Sequence, residues 1–209
     1  MSGGNNKSFM ADPLAFLNSD KVWDVNSTGV NGAQQPIYVL DGNGVGTFNL
    51  DPYSAHTISL KQHTPKIGRN KLKAYYLNAS ANSTQSMVLS NHADYFFTDT
   101  IQGCSFHAYG TSRNRLTVEH VNDLNHTTPS ADYATAALRV QNLGNAITII
   151  YDNATYRQLT NPEWDGTNVV VTVIGWRKTD GWHFYARRRL NGYNDTGGRR
   201  SLGPAFELT

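Results

Sequence analysis

The sequence predicts a sheet-rich α+β fold, and three observations carry that expectation. Apolar residues make up 39% of the 209 positions while glycine alone occupies 18, a balance suited to many short strands joined by turns and long polar loops. Short apolar runs recur between Gly, Asn, Asp and Pro, which read as one strand after another. Helical signals, by comparison, are confined to two places. The chain is long enough to bury a substantial core, and it has no internal repeat, long linker or low-complexity block. One domain spanning 1–209 is therefore expected.

Taken in order, Asp12-Pro13 pairs a capping residue with a proline suited to the first helical position, so 13–18 reads as a short helix with Leu14 and Leu17 turned inward. Strands are expected at 36–40, 46–50, 57–60, 71–77 and 85–89. Residues 103–109 and 116–121 form a further antiparallel pair across the polar loop 110–115. In TTPSADYATAALRVQNLGN, Ser130 offers a cap, Tyr133, Ala137 and Val140 mark one stripe, and Gly144 ends the helix, giving a second helix over 131–143. A strand at 146–151 and a hairpin of 168–176 with 182–188 complete an α+β arrangement.

A net charge of +2 is too small to imply affinity for nucleic acid or a membrane. The basic residues are concentrated locally: Arg187, Arg188, Arg189, Arg199 and Arg200 lie among or just after Trp182, Phe184, Tyr185 and Tyr193. Such a run reads as a solvated or protein-docking strand end before it reads as a nucleic-acid platform. No apolar run reaches the length of a membrane span, and the N-terminus lacks a charged start followed by a long apolar core. No membrane partner and no general secretory signal are expected. The sequons at Asn26, Asn78, Asn82, Asn125 and Asn153 are chance products of a chain rich in Asn, Ser and Thr. A single cysteine excludes a disulfide framework and suits a reducing compartment.

Asp41, Asn43 and Gly46 in DGNGVGTFNLDP partly match a calcium loop, but Val45 and Pro52 stand where oxygen ligands belong, so the segment reads as a turn. Its glycines lack the Gly-Lys-Ser/Thr ending of a phosphate loop. The histidines do not form HExxH, and no second cysteine helps build a soft site, so no metal or cofactor is called for. His56, His63, His92, His107, His126 and His183 are taken as surface or satisfied core residues, His183 as a packing residue among aromatics. No GxSxG elbow is present.

Cys104 remains as the best candidate for chemistry. A thiolate is the strongest nucleophile a protein carries near neutral pH, and a neighbouring histidine can hold it ionised and return its proton. Strand parity selects the histidine. Cys104, Phe106 and Ala108 share one face while Ser105 and His107 point to the other. On the second strand Val118, His120 and Asn122 share a face, so His120 reaches Cys104 only if the two faces are the same. A lone cysteine is more often a buried, unreactive small residue.

The segment FFTDTIQGC reads F-F-T, four residues, then G-C, with Thr98 six positions before Cys104, and TVEHVN follows with His120. This arrangement resembles the nucleophile and histidine segments of the lethal-factor type of glutamine deamidase known from Burkholderia. It is similar also to the catalytic domain of cytotoxic necrotizing factors and to the bacterial chemoreceptor deamidase. The resemblance implies a β-sandwich core with flanking helices. It further implies a bacterial toxin or effector, made in the bacterial cytoplasm and delivered to a host cytosol, where it modifies a host protein that carries the target glutamine. Nucleic acid is not the expected partner, and the chain is taken as a monomer.

By that resemblance Cys104 attacks the side-chain amide, ammonia leaves a thioester, and water releases glutamate. His120 moves the protons, and an ion pair with it would lower the Cys104 pKa below the usual thiol range. Thr98 orients His120, and Gly103 lets backbone N–H donors approach the oxyanion. Transglutamination is a close variant, in which an amine intercepts the thioester. The alternative from another class is a non-catalytic β-sandwich module binding protein or nucleic acid, with a structural cysteine.

Overall fold

The computed structural model describes residues 3–19, 22–24, 44–52, 57–62, 71–80, 82–122, 129–152, 155–156, 169–190 and 202–209. Within them run α1 (Gly3–Ala11), α2 (Pro13–Leu17), β1 (Val22–Asp24), β2 (Val45–Pro52), β3 (Thr57–Gln62), β4 (Leu72–Leu77), β5 (Ser83–Leu89) and β6 (Tyr95–Thr98). There follow β7 (Ser105–Ser112), β8 (Arg115–Asn122), α3 (Pro129–Gln141), β9 (Ile147–Tyr151), β10 (Val169–Lys178), β11 (Gly181–Leu190) and β12 (Phe206–Leu208). The strands form a sheet in the order β1-β3-β2-β4-β6-β10-β11-β12 and a smaller one in the order β5-β8-β7-β9.

The two sheets face each other, as alternation in each strand dictates. Phe96 and Phe184 of the large sheet meet Phe106 of the small one at ring distances of 5.9 and 5.1 Å, inside a core that also takes Tyr75, Leu77, Val118, Ile149, Val171 and Trp182. The opposite face of the large sheet is covered by the N-terminal helices, where Phe9, Phe16 and Leu17 pack on Phe48, Tyr76 and Phe97. Helix α3 lies over the small sheet through β7 and β9. The result is a β-sandwich with flanking helices, of the α+β class.

Pattern and structure agree best where caps or long alternation fix an element. Asp12 caps α2, its Oδ1 accepting from Ala15 N at 2.9 Å, with Pro13 at the first helical position; Leu17 is buried, although Phe16 and not Leu14 is the second anchor. In α3, Ala137 and Val140 are buried and Gly144 takes φ 64°. That helix begins at Pro129, one residue before its expected cap Ser130, because proline is itself a preferred first helical residue. The expected strand at 36–40 lies outside the described residues.

Four elements have no counterpart in the sequence pattern. Helix α1 starts on Gly and Asn, poor helix formers, and is held by tertiary contacts: Asn6 Oδ1 accepts from Leu50 N at 2.7 Å while Asn5 Nδ2 donates to Leu50 O at 3.1 Å. Strands β1, β6 and β12 are too short to show alternation. The segment taken as a turn enters strand β2 at Val45, so its positions from Val45 to Pro52 lie in a ladder.

The arginines are the main correction. Arg187 donates to the carbonyls of Leu17 and Ser19 at the end of α2, and Arg189 is buried and donates to Thr100 Oγ1 at 3.4 Å. These two serve internal structure and not a solvated strand end. His183 is not a packing residue either: its ring nitrogens meet Glu207 Oε1 at 2.5 Å and Asp180 Oδ1 at 2.9 Å, tying the hairpin to β12.

Candidate active site

The chain crosses from one sheet to the other between β6 and β7, and this crossover gathers the candidate residues. Thr98 ends β6, beside Leu77 of β4 in a parallel pair. Ile101 then bridges to Val171, Gly103 turns with φ 79°, and Cys104 leads into β7. The positive φ is a conformation an L side chain resists, so glycine is the natural residue at that bend. Asp99 anchors the start of the crossover: Tyr76 donates its hydroxyl to one carboxylate oxygen, and Ala79 N donates to the other at 2.7 Å.

Register settles the condition set by parity. Phe106 pairs with His120 and Ser105 with Val121, so extending the ladder by one residue sets Cys104 against Asn122. Cys104 and His120 are then diagonal neighbours on one face, the sandwich interior that also holds Phe106 and Val118. His107 points the other way, towards Glu119, with its Nδ1 3.5 Å from Glu119 Oε2. That carboxylate is itself engaged by Tyr109 at 2.8 Å and by Arg139 of α3.

Thr98 reaches His120 from the opposite sheet, with 2.8 Å between its Oγ1 and His120 Nδ1. The same hydroxyl donates to Leu77 O at 3.0 Å. A hydroxyl has one proton to give, so towards His120 it accepts, and Nδ1 carries the ring proton. His120 Nε2 is left as the basic nitrogen. It is buried and has no hydrogen-bond partner among the described residues. The Cys104 thiol donates instead to Gln102 O at 3.7 Å, and Cys104 O accepts from the buried Tyr156 hydroxyl at 3.0 Å.

Thr98 and His120 are thus joined by a hydrogen bond and Cys104 shares the interior face of His120, but the cysteine and histidine are not bonded to each other. Thr98 and His120 are fully buried and Cys104 is 6% exposed. Burial raises the Cys104 thiol to about 11, with the Asp99 carboxylate adding to the rise. Burial also lowers the His120 imidazole to about 4. The pair is therefore neutral at pH 7, thiol beside imidazole. The expected ion pair and lowered thiol pKa do not hold in this state, because desolvation penalises both charges and the backbone hydrogen bond at Gln102, which lowers the thiol, does not offset it.

The trio brings a thiol, an imidazole with its tautomer fixed and the hydroxyl that fixes it to one region of the fold. Among the described residues no group of three or more His, Cys, Asp or Glu side chains is close enough to hold a metal ion. No described helix is long and apolar enough to cross a membrane.

Two further residues of this region were not singled out as candidates by the sequence. Tyr151 pairs with Phe106 from the other side, and Arg188 sits at an inward position of β11 between Ala186 and Leu190, both core residues. Parity along β11 marks Arg188 as a misfit, since Trp182, Phe184, Ala186 and Leu190 are its apolar companions on that face.

A scan against family models finds none that matches this chain, and no curated protein matches it in sequence. Among solved structures, the C-terminal domain of CNFy from Yersinia pseudotuberculosis, known from a crystal structure, is similar over 99% of this chain and 98% of that chain, at a TM-score of 0.47 and 9% identity.

Proposed function

We propose that this chain is a cysteine-dependent protein glutamine deamidase, a bacterial toxin or effector that acts on a host protein in the host cytosol. The observation that carries the reading is His120, held through Nδ1 by Thr98 with Nε2 unpartnered, on the interior face it shares with Cys104. The likeness of FFTDTIQGC and TVEHVN to the lethal-factor type of deamidase supplies the reaction class.

The steps follow from a neutral pair. As Cys104 Sγ attacks the carboxamide carbon, His120 Nε2 takes the thiol proton, and the carbonyl oxygen becomes an oxyanion. The imidazolium then protonates the departing nitrogen, which leaves as ammonia, and the C–N bond is replaced by a thioester. Water, deprotonated by His120, attacks the thioester; the C–S bond breaks, the thiolate recovers its proton, and glutamate is released. Thr98 holds the imidazole at each stage, and donates its own hydrogen bond to Leu77 O, so it stabilises the tautomer without titrating.

Gly103 shapes the backbone before the nucleophile, where N–H donors would meet the oxyanion; losing one such donor costs about 2.7 to 4 kcal/mol of barrier. An amine arriving in place of water would give transglutamination through the same thioester. Ammonia release from a glutamine-bearing host protein tests the proposal: it should vanish in Cys104→Ala and His120→Ala with the fold retained. Release unchanged in Cys104→Ala would refute it.

The burial of Cys104 and its raised pKa favour a second reading, a non-catalytic β-sandwich module with a structural cysteine. Under it, no host protein changes mass on exposure to the chain, and Cys104→Ala keeps full partner binding.

A further inference from the structure

We infer that Arg188 and Tyr151 form an anion-recognition subsite beside Cys104, which selects substrates carrying a carboxylate side chain next to the target glutamine. This rests on the deamidase reading above and names a feature of its substrate. Three observations lead to it.

The first is that Arg188 stands half-buried at an inward position of β11, with no carboxylate paired to it among the described residues. It pairs with Val171 across the ladder, on the same face as the core residues Ala186 and Leu190. Its recorded contact is the ring of Phe206, 5.4 Å from the guanidinium carbon. Its Nε is buried without a hydrogen-bond partner. A buried donor of this kind is costly unless something pairs with it. Its neighbours Arg187 and Arg189, on the other face, do have protein partners.

The second is Tyr151, whose hydroxyl is also buried and without a hydrogen-bond partner among the described residues. Its ring lies 5.8 Å from Phe206, the ring on which Arg188 rests. Burial raises the Tyr151 pKa and the Arg188 charge opposes that rise, so the two polar groups feel one another. Together they offer a cation and a hydroxyl donor from the facing inner surfaces of the two sheets, β11 and β9, the set that binds a carboxylate.

The third is position. Phe106 is flanked by His120 on one side and Tyr151 on the other, and Cys104 lies two residues before it on the same face. Tyr151 also packs at 5.7 Å on Tyr156, which donates to Cys104 O. The base stands on one flank of the nucleophile and the orphaned pair on the other. A glutamine inserted at Cys104 would bring an adjacent side chain to the Tyr151 flank.

The test uses the full chain carrying Cys104→Ala, so that binding is read without turnover. Two tetrapeptide amides, differing only in whether glutamate or methionine follows the glutamine, are titrated by NMR. The acidic peptide should bind about tenfold more tightly, the scale of one charged hydrogen bond. Adding Arg188→Gln should remove that preference, and Tyr151→Phe, which deletes a hydroxyl with no protein partner and so leaves packing intact, should reduce it severalfold.

Equal affinities for the two peptides in the parent would overturn the subsite. So would an undiminished preference in Tyr151→Phe together with a folded Arg188→Lys or Arg188→Gln. In a chain that keeps Cys104, a loss of ammonia release in Arg188→Gln that is equal for both peptides would mean that Arg188 serves the oxyanion, which also overturns it. The two readings fail separately: an acidic preference without ammonia from any substrate removes the deamidase and keeps the subsite, whereas ammonia without preference does the reverse.

Discussion

At the scale of the residue, the neutral state of Cys104 and His120 makes definite statements about pH. With the thiol raised to about 11, alkylation of Cys104 by iodoacetamide should be slow at neutral pH and climb towards strongly alkaline pH. A rate that levels off below pH 7 would mean that the thiolate is formed in the resting chain. His120 is lowered to about 4, below its unfolded value near 6.5. The unfolded chain therefore binds the extra proton between those values, so stability is full above about pH 6.5 and falls as pH drops towards 4. The loss is about 3 kcal/mol at most, and the difference in melting temperature between the native chain and His120→Gln across that window measures it.

Thr98 has a separate signature. Thr98→Val keeps the shape of the side chain but leaves His120 Nδ1–H buried without an acceptor, which should cost about 1 to 3 kcal/mol by denaturant titration. Leu77 O keeps a bond from Asp99 N at 3.2 Å, so the loss falls mainly on the histidine. As a positioning residue Thr98 should lower kcat more than it changes KM, and Thr98→Ser should restore most of it. Cys104 and His120 were legible as candidates through strand parity, and Thr98 only through the resemblance of FFTDTIQGC to the lethal-factor type of deamidase. The sheet-to-sheet bond that joins Thr98 to His120 was not, since nothing in linear spacing says that β6 and β8 face one another.

At the scale of the element, the site depends on a crossover of a few residues pinned at both ends. Gly103→Ala would force an L side chain into φ 79° at a cost of about 1 to 2 kcal/mol, and should impair activity beyond what stability explains because Cys104 is the next residue. Arg187→Ala is its control: it removes the donor to Leu17 and Ser19 carbonyls at the end of α2, and should cost about 1 to 2 kcal/mol of stability with ammonia release unchanged. The element pattern explains which parts of the fold could be read in advance. Strands with a clear apolar period, and α2 with its Asp12 cap, carry their own local signal. Helix α1 does not, because Asn6 and Phe9 stabilise it only after β2 exists to receive them. Strand β6 is four residues long, which is too short to alternate, yet it carries Thr98.

At the scale of the whole molecule, the helix layers and two sheets do one thing for the chemistry. They bury Thr98 and His120 completely while leaving Cys104 slightly exposed at one end of the sandwich. In the proposed mechanism the base is thereby shielded from bulk solvent in the resting chain, and a substrate would meet the nucleophile first. The cost is that charges are disfavoured there, which is why the resting pair is neutral and why Arg188, half-buried on the inward face of β11, stands out. That misfit was hidden in sequence by Arg187 and Arg189 on either side, which made the run look like one basic patch. Only the alternation of β11 separates the three. The measurement that bears most directly on the central claim is the mass of host-cell proteins exposed to the native chain or to Cys104→Ala. A gain of ~1 Da on one glutamine, the mark of amide converted to acid through the thioester, is predicted with the native chain and absent with the variant; the same gain with both, or none with either, would contradict the account.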